Sequence, residues 1–141
     1  MAQKKTSPTA DTCCAPGDPC SGRLPLRDRP LLGFVDAVKV MALFKVMAND
    51  TRIRILHHII RSGEATVTDI AKTLGMKPLA VSNQLVRLSD TRMLVSRREG
   101  NNVFYRVQNG CVAPLLDLAL CLMEDERKPA ATNGATHVEI N

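Results

Sequence analysis

The chain has 141 residues, of which 45% are hydrophobic and 3% aromatic, and its formal net charge is +5. This length predicts one domain with a modest, largely aliphatic core and flanking tails. So few aromatic residues argue against a protein that holds single-stranded nucleic acid by stacking its bases on aromatic rings.

The cysteines and the lack of a membrane signal indicate the compartment. There are five cysteines, an odd number, and the sequence shows neither a signal peptide nor an apolar run of about 18 residues. Structural disulfides are rare in reducing compartments, where clustered thiols more often bind metal or respond to redox change. We therefore expect a cytoplasmic protein that does not interact with membranes.

The chain begins with a segment that is predicted to lack regular structure. Residues 1–30 contain five prolines and three of the five cysteines, with little apolar periodicity, which is typical of a disordered Cys/Pro-rich tail. Residues 31–48 are almost continuously apolar and predict a helix that is buried on most of its surface. In so small a domain, such a helix often packs against a second protomer.

Three shorter helices are predicted next. Asn49 supplies an N-cap for a second helix that ends at Gly63. Thr66 and Asp69 have the spacing of a capping box, and they begin a third helix that ends at Gly75. A turn of about three residues separates this helix from the next one. Two short helices joined by a tight turn predict a helix-turn-helix.

The second helix of this motif, over residues 76–88, has the properties of a DNA recognition helix. Pro78 suits its first position, and Val81, Leu85 and Leu88 form one apolar stripe. The opposite face carries residues that can hydrogen-bond and are not acidic: Ser82, Asn83, Gln84 and Arg87. Such a face matches the base edges in the major groove of double-stranded DNA. The alternative is an ordinary solvated surface helix.

A β-hairpin is predicted after this helix. The hydrophobic pattern changes to a period of two around residues 99–102, which have the Gly/Asn composition of a tight turn. Arg97 and Arg98 lie near its tip, and residues 72–106 hold seven basic residues against two acidic ones. This local excess equals the net charge of the whole chain and is typical of phosphate binding. The alternative role of these arginines is to protect an exposed edge strand.

A final helix over residues 111–126 is apolar nearly all round, with Pro114 in its first turn. Because a small domain can hardly cover such a helix, we expect the first and last helices to build a two-fold homodimer. Residues 127–141 are polar and predict a disordered tail. The predicted fold is mainly α with a two-stranded β-hairpin, a winged helix-turn-helix domain over residues 31–126.

The order of these elements and three of their segments resemble the ArsR/SmtB family of winged-helix, metal-sensing repressors. Segment 44–56, FKVMANDTRIRIL, is similar to the family's LADPTRLRIL segment, and AVSNQL at 80–85 is similar to its AVSHHL recognition helix. Segment 94–105, LVSRREGNNVFY, resembles its LVxxRREGRxxYY wing. The resemblance implies a homodimer that binds a palindromic operator and releases it when a metal ion binds.

The same resemblance implies which residues contact DNA. Four residues of the recognition helix would face the major groove: Ser82, Asn83, Gln84 and Arg87. Three residues of the hairpin would approach the minor groove and the phosphates: Arg97, Arg98 and Asn101. Lys77 stands where the family often has Ser, and we expect it to contact a phosphate. Asn83 stands where many members have His, so the family's base preference does not transfer to this chain.

The cysteines are the candidates for an inducer site, since no cofactor is expected to stay bound permanently. Cys13, Cys14 and Cys20 place three thiols within eight residues. Three thiolates suit one soft ion, which favours arsenite or antimonite, with Cd, Pb, Hg and Zn as alternatives. Cys111 and Cys121 are a second, less favoured set. They either meet across a dimer or serve only as small buried apolar residues.

Three other functions compete with a metal-responsive repressor. The first is a redox-sensing winged-helix repressor that has no metal inducer and oxidises its thiols reversibly. The second is a thiol-rich module that buffers metal or binds protein without binding DNA. An enzyme is the least supported, because the sequence contains no catalytic constellation. His57 and His58, in particular, have no obvious carboxylate partner.

Overall fold

The computed structural model describes residues 23–125. Most of the two predicted tails, including Cys13, Cys14 and Cys20, lies outside the described residues. A single 3-10 turn, Leu26–Asp28, precedes the first helix. The helices and strands are α1 (Phe34–Met47), α2 (Asp50–Ser62), β1 (Ala65–Thr66), α3 (Val67–Leu74), α4 (Pro78–Asp90), β2 (Leu94–Glu99), β3 (Asn102–Val107) and α5 (Val112–Asp125).

The predicted helix caps are confirmed. The side chain of Asn49 accepts a hydrogen bond from the backbone N–H of Arg52 at 3.1 Å and begins α2. Thr66 and Asp69 form the reciprocal capping box of α3. Helix α3 ends at Gly75, which adopts the left-handed conformation with φ of 66° and thereby starts the turn into α4. These local signals place the two helices of the helix-turn-helix next to each other.

The predicted hairpin is confirmed, but the sheet has three strands and not two. Strands β2 and β3 pair antiparallel around a two-residue turn in which Gly100 has a φ of 59°. Strand β1 pairs with the other edge of β3, so that Ala65 lies opposite Tyr105. We did not predict β1 because it has only two residues and its partner lies forty positions away. This pairing joins the hairpin to the loop between α2 and α3.

The core lies between α2, α3, α4 and the base of the hairpin. Seven large side chains are fully buried there: Ile55, Leu56, Ile59, Ile70, Val81, Leu85 and Leu88. Met93 and Leu94, which follow α4, close the core at the start of β2. The core therefore fixes the helix-turn-helix and the hairpin relative to each other.

Helices α1 and α5 contribute little to this core. Of their apolar residues, only Met47 and Val112 are buried. The expectation that α1 is covered on most of its surface is wrong for the single chain, in which residues such as Phe34 are 85% exposed. The reason is that the core of this domain is complete without the outer faces of α1 and α5.

Candidate nucleic-acid interface

Helix α4 presents one apolar side to the domain and leaves the other to solvent. Val81, Leu85 and Leu88 recur at intervals of three and four residues and anchor the helix in the core. Pro78 stands at the start of the helix, where a missing backbone N–H costs no hydrogen bond. The solvent-facing side follows the tight turn after α3, which is the position of the recognition helix in a helix-turn-helix.

The predicted contact residues of α4 do not all point outward. Asn83 and Arg87 are exposed, whereas Ser82 and Gln84 are half-buried. The side-chain oxygen of Gln84 is buried and finds no hydrogen-bond partner in the described part of the chain. Gln84 therefore lies on the flank of the helix, next to the buried stripe, because it is three residues after Val81.

Two apolar residues on the outer side of α4 were missed by the sequence analysis. Leu79 is 73% exposed and Val86 is 54% exposed. Both lie on the same face of the helix as Asn83, because Leu79 is four residues before Asn83 and Val86 is three residues after it. The sequence alone contains this spacing, but the prediction of DNA contacts considered only side chains that form hydrogen bonds.

Arg97 is the most heavily paired charge on the hairpin, which we call the wing (residues 94–107). Its guanidinium donates two hydrogen bonds to Glu64, Nε to Oε2 at 2.9 Å and Nη2 to Oε1 at 2.6 Å. It also donates to Glu99 and lies 4.5 Å from the centre of the Phe104 ring. Because Glu64 directly precedes β1 and Phe104 is in β3, Arg97 spans the whole sheet.

These contacts shift the pKa values of the charged groups involved. The hydrogen bonds from Arg97 hold the pKa of Glu64 below its ordinary value, and the charges of Arg97 and Arg106 act in the same direction. The pKa of Arg97 is raised in turn, mainly by its hydrogen bonds to Glu64 and Glu99. Glu64 lies outside the segment in which we counted the basic excess, so part of that excess is neutralised by the fold.

The remaining predicted contact residues of this surface are open to solvent. Lys77 is exposed at the N-cap of α4, and Arg98 and Asn101 are exposed near the tip of the wing. Neither Lys77 nor Arg98 forms an ion pair with any residue between 23 and 125. Together with Arg87, these two residues are the predicted contact residues whose charge is available to an anionic partner.

His57 and His58 line an open cleft between α2 and α3. The cleft, of about 450 Å³, is also lined by Arg54 and Arg61. Neither histidine forms an ion pair with a carboxylate within residues 23–125. The pKa of Asp69 is lowered mainly by side-chain and backbone hydrogen bonds from Thr66, with a smaller contribution from the charge of His58.

The cysteines of the described chain lie at the last helix. Cys111 is half-buried just before α5, and Cys121 is exposed within it. Among residues 23–125, no group of three or more His, Cys, Asp or Glu side chains is arranged to hold a metal ion. An ion held at α5 would therefore need further ligands from a second protomer or from the tails.

Apolar surface is concentrated on α1 and α5. Residues of both helices, with Ile53 of α2, line an apolar groove of about 270 Å³. Large apolar side chains of the same two helices are exposed, among them Phe44, Met41, Leu118 and Leu122. A contiguous surface of this kind marks a protein–protein contact. None of the helices within residues 23–125 is long and apolar enough to span a membrane.

This chain is similar to known transcriptional regulators. A profile of the MarR family matches residues 49–102, which include the helix-turn-helix and most of the wing. The HTH-type transcriptional regulator NmtR of Mycobacterium tuberculosis is 36% identical over 84 residues, which are 60% of this chain and 69% of NmtR. The cadmium resistance regulatory protein CadC of Listeria innocua is 25% identical over 99 residues, covering 70% of this chain and 83% of CadC.

Two solved structures are similar over about three quarters of this chain. The antimony-specific transcriptional repressor AntR is 51% identical, with a TM-score of 0.67, and the match covers 78% of this chain and 99% of AntR. The homodimeric winged helix-turn-helix DNA-binding domain Mb0332 of Mycobacterium bovis is 28% identical, with a TM-score of 0.58, over 76% of this chain and 99% of that domain.

The fold, with α4 in the position of a recognition helix and the wing beside it, defines a winged helix-turn-helix protein of the DNA-binding class. The chain belongs to the ArsR/SmtB family of transcriptional regulators, as its resemblance implied, and it is a regulator and not an enzyme. Its relatives include regulators named for cadmium resistance and arsenic resistance and the antimony-specific repressor AntR.

Proposed function

We propose that this chain is a homodimeric repressor that binds double-stranded operator DNA and releases it when cysteine thiolates bind a thiophilic metalloid or metal ion. The observation that carries the proposal is the exposed, acid-free N-terminal half of α4 beside the wing, in a chain 51% identical to an antimony-specific repressor. That identity favours antimonite or arsenite as inducer. Cadmium, lead, mercury and zinc are the alternatives. A cytoplasmic location follows from this role.

The DNA contacts come from α4 and the wing. Asn83 and Arg87 are exposed on α4 and suited to base edges and phosphates in the major groove. Lys77 adds a phosphate contact at the start of the helix. Ser82 and Gln84, on the flanks of α4, contact DNA at the edges of the same face. From the wing, Arg98 and Asn101 approach the minor groove and the phosphates. Arg97 joins them only by exchanging its bonds to Glu64 for bonds to DNA.

A second protomer covers the apolar faces of α1 and α5. Burying those faces removes large exposed apolar side chains from water, which is the main driving force for association. A two-fold dimer then presents two copies of α4 to half-sites about one helical turn apart. The homodimeric state of Mb0332 supports this arrangement.

Two sets of thiols are candidates for the inducer site. Cys13, Cys14 and Cys20 are close in sequence and supply three sulfur ligands from one chain, although they lie outside the described residues. Cys111 and Cys121 lie at α5, next to the proposed dimer contact. Thiolates are the ligating species, so binding releases protons and weakens at low pH.

Binding at either set would act through the dimer. Ordering the tail against α1 or α5, or linking the two copies of α5, changes the angle between protomers and hence the distance between the two α4 helices. A loss of DNA affinity of about 100-fold requires a coupling free energy of about 3 kcal/mol, which is within the usual range.

The test compares two double variants, Cys13→Ser/Cys14→Ser and Cys111→Ser/Cys121→Ser, with the wild-type chain. DNA binding is followed by fluorescence anisotropy on the upstream duplex while antimonite or cadmium is added to the reduced protein. We expect both variants to bind DNA and one to lose its release by antimonite. Unchanged release in both variants would refute thiolate sensing at these sites. Release by peroxide but not by metal ions would instead support the redox alternative.

A further inference from the structure

Two large apolar side chains lie on the outer face of the recognition helix and have no role in the core. Leu79 is 73% exposed and Val86 is 54% exposed. Asn83, four residues after Leu79 and three before Val86, lies between them on the same face of α4. The outer face of α4 therefore carries an apolar group on each side of a hydrogen-bonding amide.

The charges on α4 indicate which end enters the groove. Lys77 caps the N-terminal end, and the first turn contains no acidic residue. The last turn contains Arg87 and the helix ends at Asp90, so the C-terminal end carries no net positive charge. The helix dipole adds positive potential at the N-terminal end. Leu79, in the first turn, is thus at the end of α4 that a polyanion attracts.

The major groove offers one apolar group to such a side chain, the C5-methyl of thymine. We propose that Leu79 packs against a thymine methyl in each operator half-site and thereby contributes to sequence specificity, with Val86 near a second methyl. At 1.5 Å per residue, the two side chains are separated by about 10 Å along the helix, or about three base-pair steps. This proposal rests on the proposed function. It adds Leu79 as a residue that distinguishes bases through an apolar contact and not through a hydrogen bond.

The experiment removes the methyl group from the DNA and the side chain from the protein. The full-length reduced protein first selects its preferred duplex from a random library. Each thymine of the half-site is then replaced by deoxyuridine, symmetrically in both half-sites, and the affinities of wild type and Leu79→Ala are measured. Deoxyuridine keeps the hydrogen-bonding edge of thymine and lacks only the methyl.

We expect at least one thymine at which deoxyuridine weakens wild-type binding about fourfold per half-site, the usual effect of losing one buried methyl-sized group. The same replacement should change the affinity of Leu79→Ala less than 1.5-fold, by our estimate, because its partner is already gone. The control Leu26→Ala, also at an exposed leucine, should keep the full wild-type sensitivity.

Two results would overturn the proposal. If every deoxyuridine replacement is neutral, or equally harmful to wild type and Leu79→Ala, then Leu79 contacts no thymine methyl although the protein binds DNA specifically. If no duplex is selected at all, the proposed function fails and this proposal fails with it.

Discussion

At the scale of single residues, Arg97 acts as a brace for the wing. Its bonds to Glu64 cross from β2, over Phe104 in β3, to the residue before β1. The side chains of Arg97 and Glu64 are about 40% exposed, at 45% and 37%, so solvent screens the pair and its contribution to stability is small. Its effect is to fix the tilt of the wing relative to the start of α3.

The first prediction concerns the pH dependence of this pair. The pKa of Glu64 is lower in the folded chain than in the unfolded chain. The stability that it contributes is therefore complete above the ordinary glutamate pKa of about 4.3 and disappears as the pH falls through the lower folded-state pKa. We expect Glu64→Gln to have a lower unfolding temperature than wild type at neutral pH and the same one in strong acid.

Thermal unfolding at a series of pH values measures this difference. Asp36→Asn is a matched control, because Asp36 is exposed and its one ion pair within residues 23–125 is with Lys39 on the same helix turn. A gap between wild type and Glu64→Gln that does not change with pH would contradict the assignment.

The second prediction separates the two wing arginines. Arg98 has no ion-pair partner among the described residues, so we expect Arg98→Gln to reduce the salt dependence of DNA binding by about one phosphate per protomer, or about two per dimer. An unchanged slope would remove Arg98 from the interface. The matched variant Arg97→Gln then decides whether Arg97 leaves Glu64 for DNA, which reduces the slope equally, or stays a brace, which leaves the slope unchanged.

At the scale of secondary structure, the elements that form through local signals were predictable. The caps at Asn49 and Thr66 and the turn at Gly100 depend on residues within three or four positions of one another. Two of the features that the sequence did not predict, strand β1 and the pair of Arg97 with Glu64, connect residues more than thirty positions apart. A single sequence shows that such residues are charged or apolar, but it does not show which distant residues they contact in the fold.

The third prediction tests the cap that begins α2. Asn49→Ala removes the side-chain acceptor for the backbone N–H of Arg52, so the free energy of unfolding should fall by about 1 kcal/mol. Chemical denaturation measures this change. Thr73→Ala, at an exposed site late in α3, should change it by at most a few tenths of a kcal/mol. Equal losses in both variants would contradict a specific capping role.

The exposure of α1, α5 and α4 was predictable from the sequence only in part. The nearly continuous apolar runs predicted two helices that need cover, and the structure leaves them uncovered in the single chain. The spacing of Leu79 from Asn83 indicates that both lie on the outer face of α4, but this face was judged only by its hydrogen-bonding residues. The half-burial of Gln84 was not predicted, because the sequence pattern identifies the buried stripe but does not rank the exposure of the residues beside it.

At the scale of the whole molecule, the fourth prediction concerns the dimer. Leu118 is exposed on α5, and Leu118→Glu would place a charge in the proposed interface between protomers. We expect sedimentation to show a monomer and DNA affinity to fall, because each protomer then binds one half-site alone. The control Thr73→Glu adds the same charge away from α1 and α5 and should remain dimeric. A Leu118→Glu variant that stays dimeric would place the interface elsewhere.

The salt dependence of the affinity of the wild-type dimer for its selected duplex tests the central claim most directly. Lys77, Arg87 and Arg98 give three available cations per protomer and six per dimer. The account predicts one dimer per site and a slope of log affinity against log salt that approaches about −5, from about 0.9 for each neutralised phosphate. A slope near zero, or binding by a monomer, would contradict the claim that a symmetric pair of α4 helices and wings holds duplex DNA.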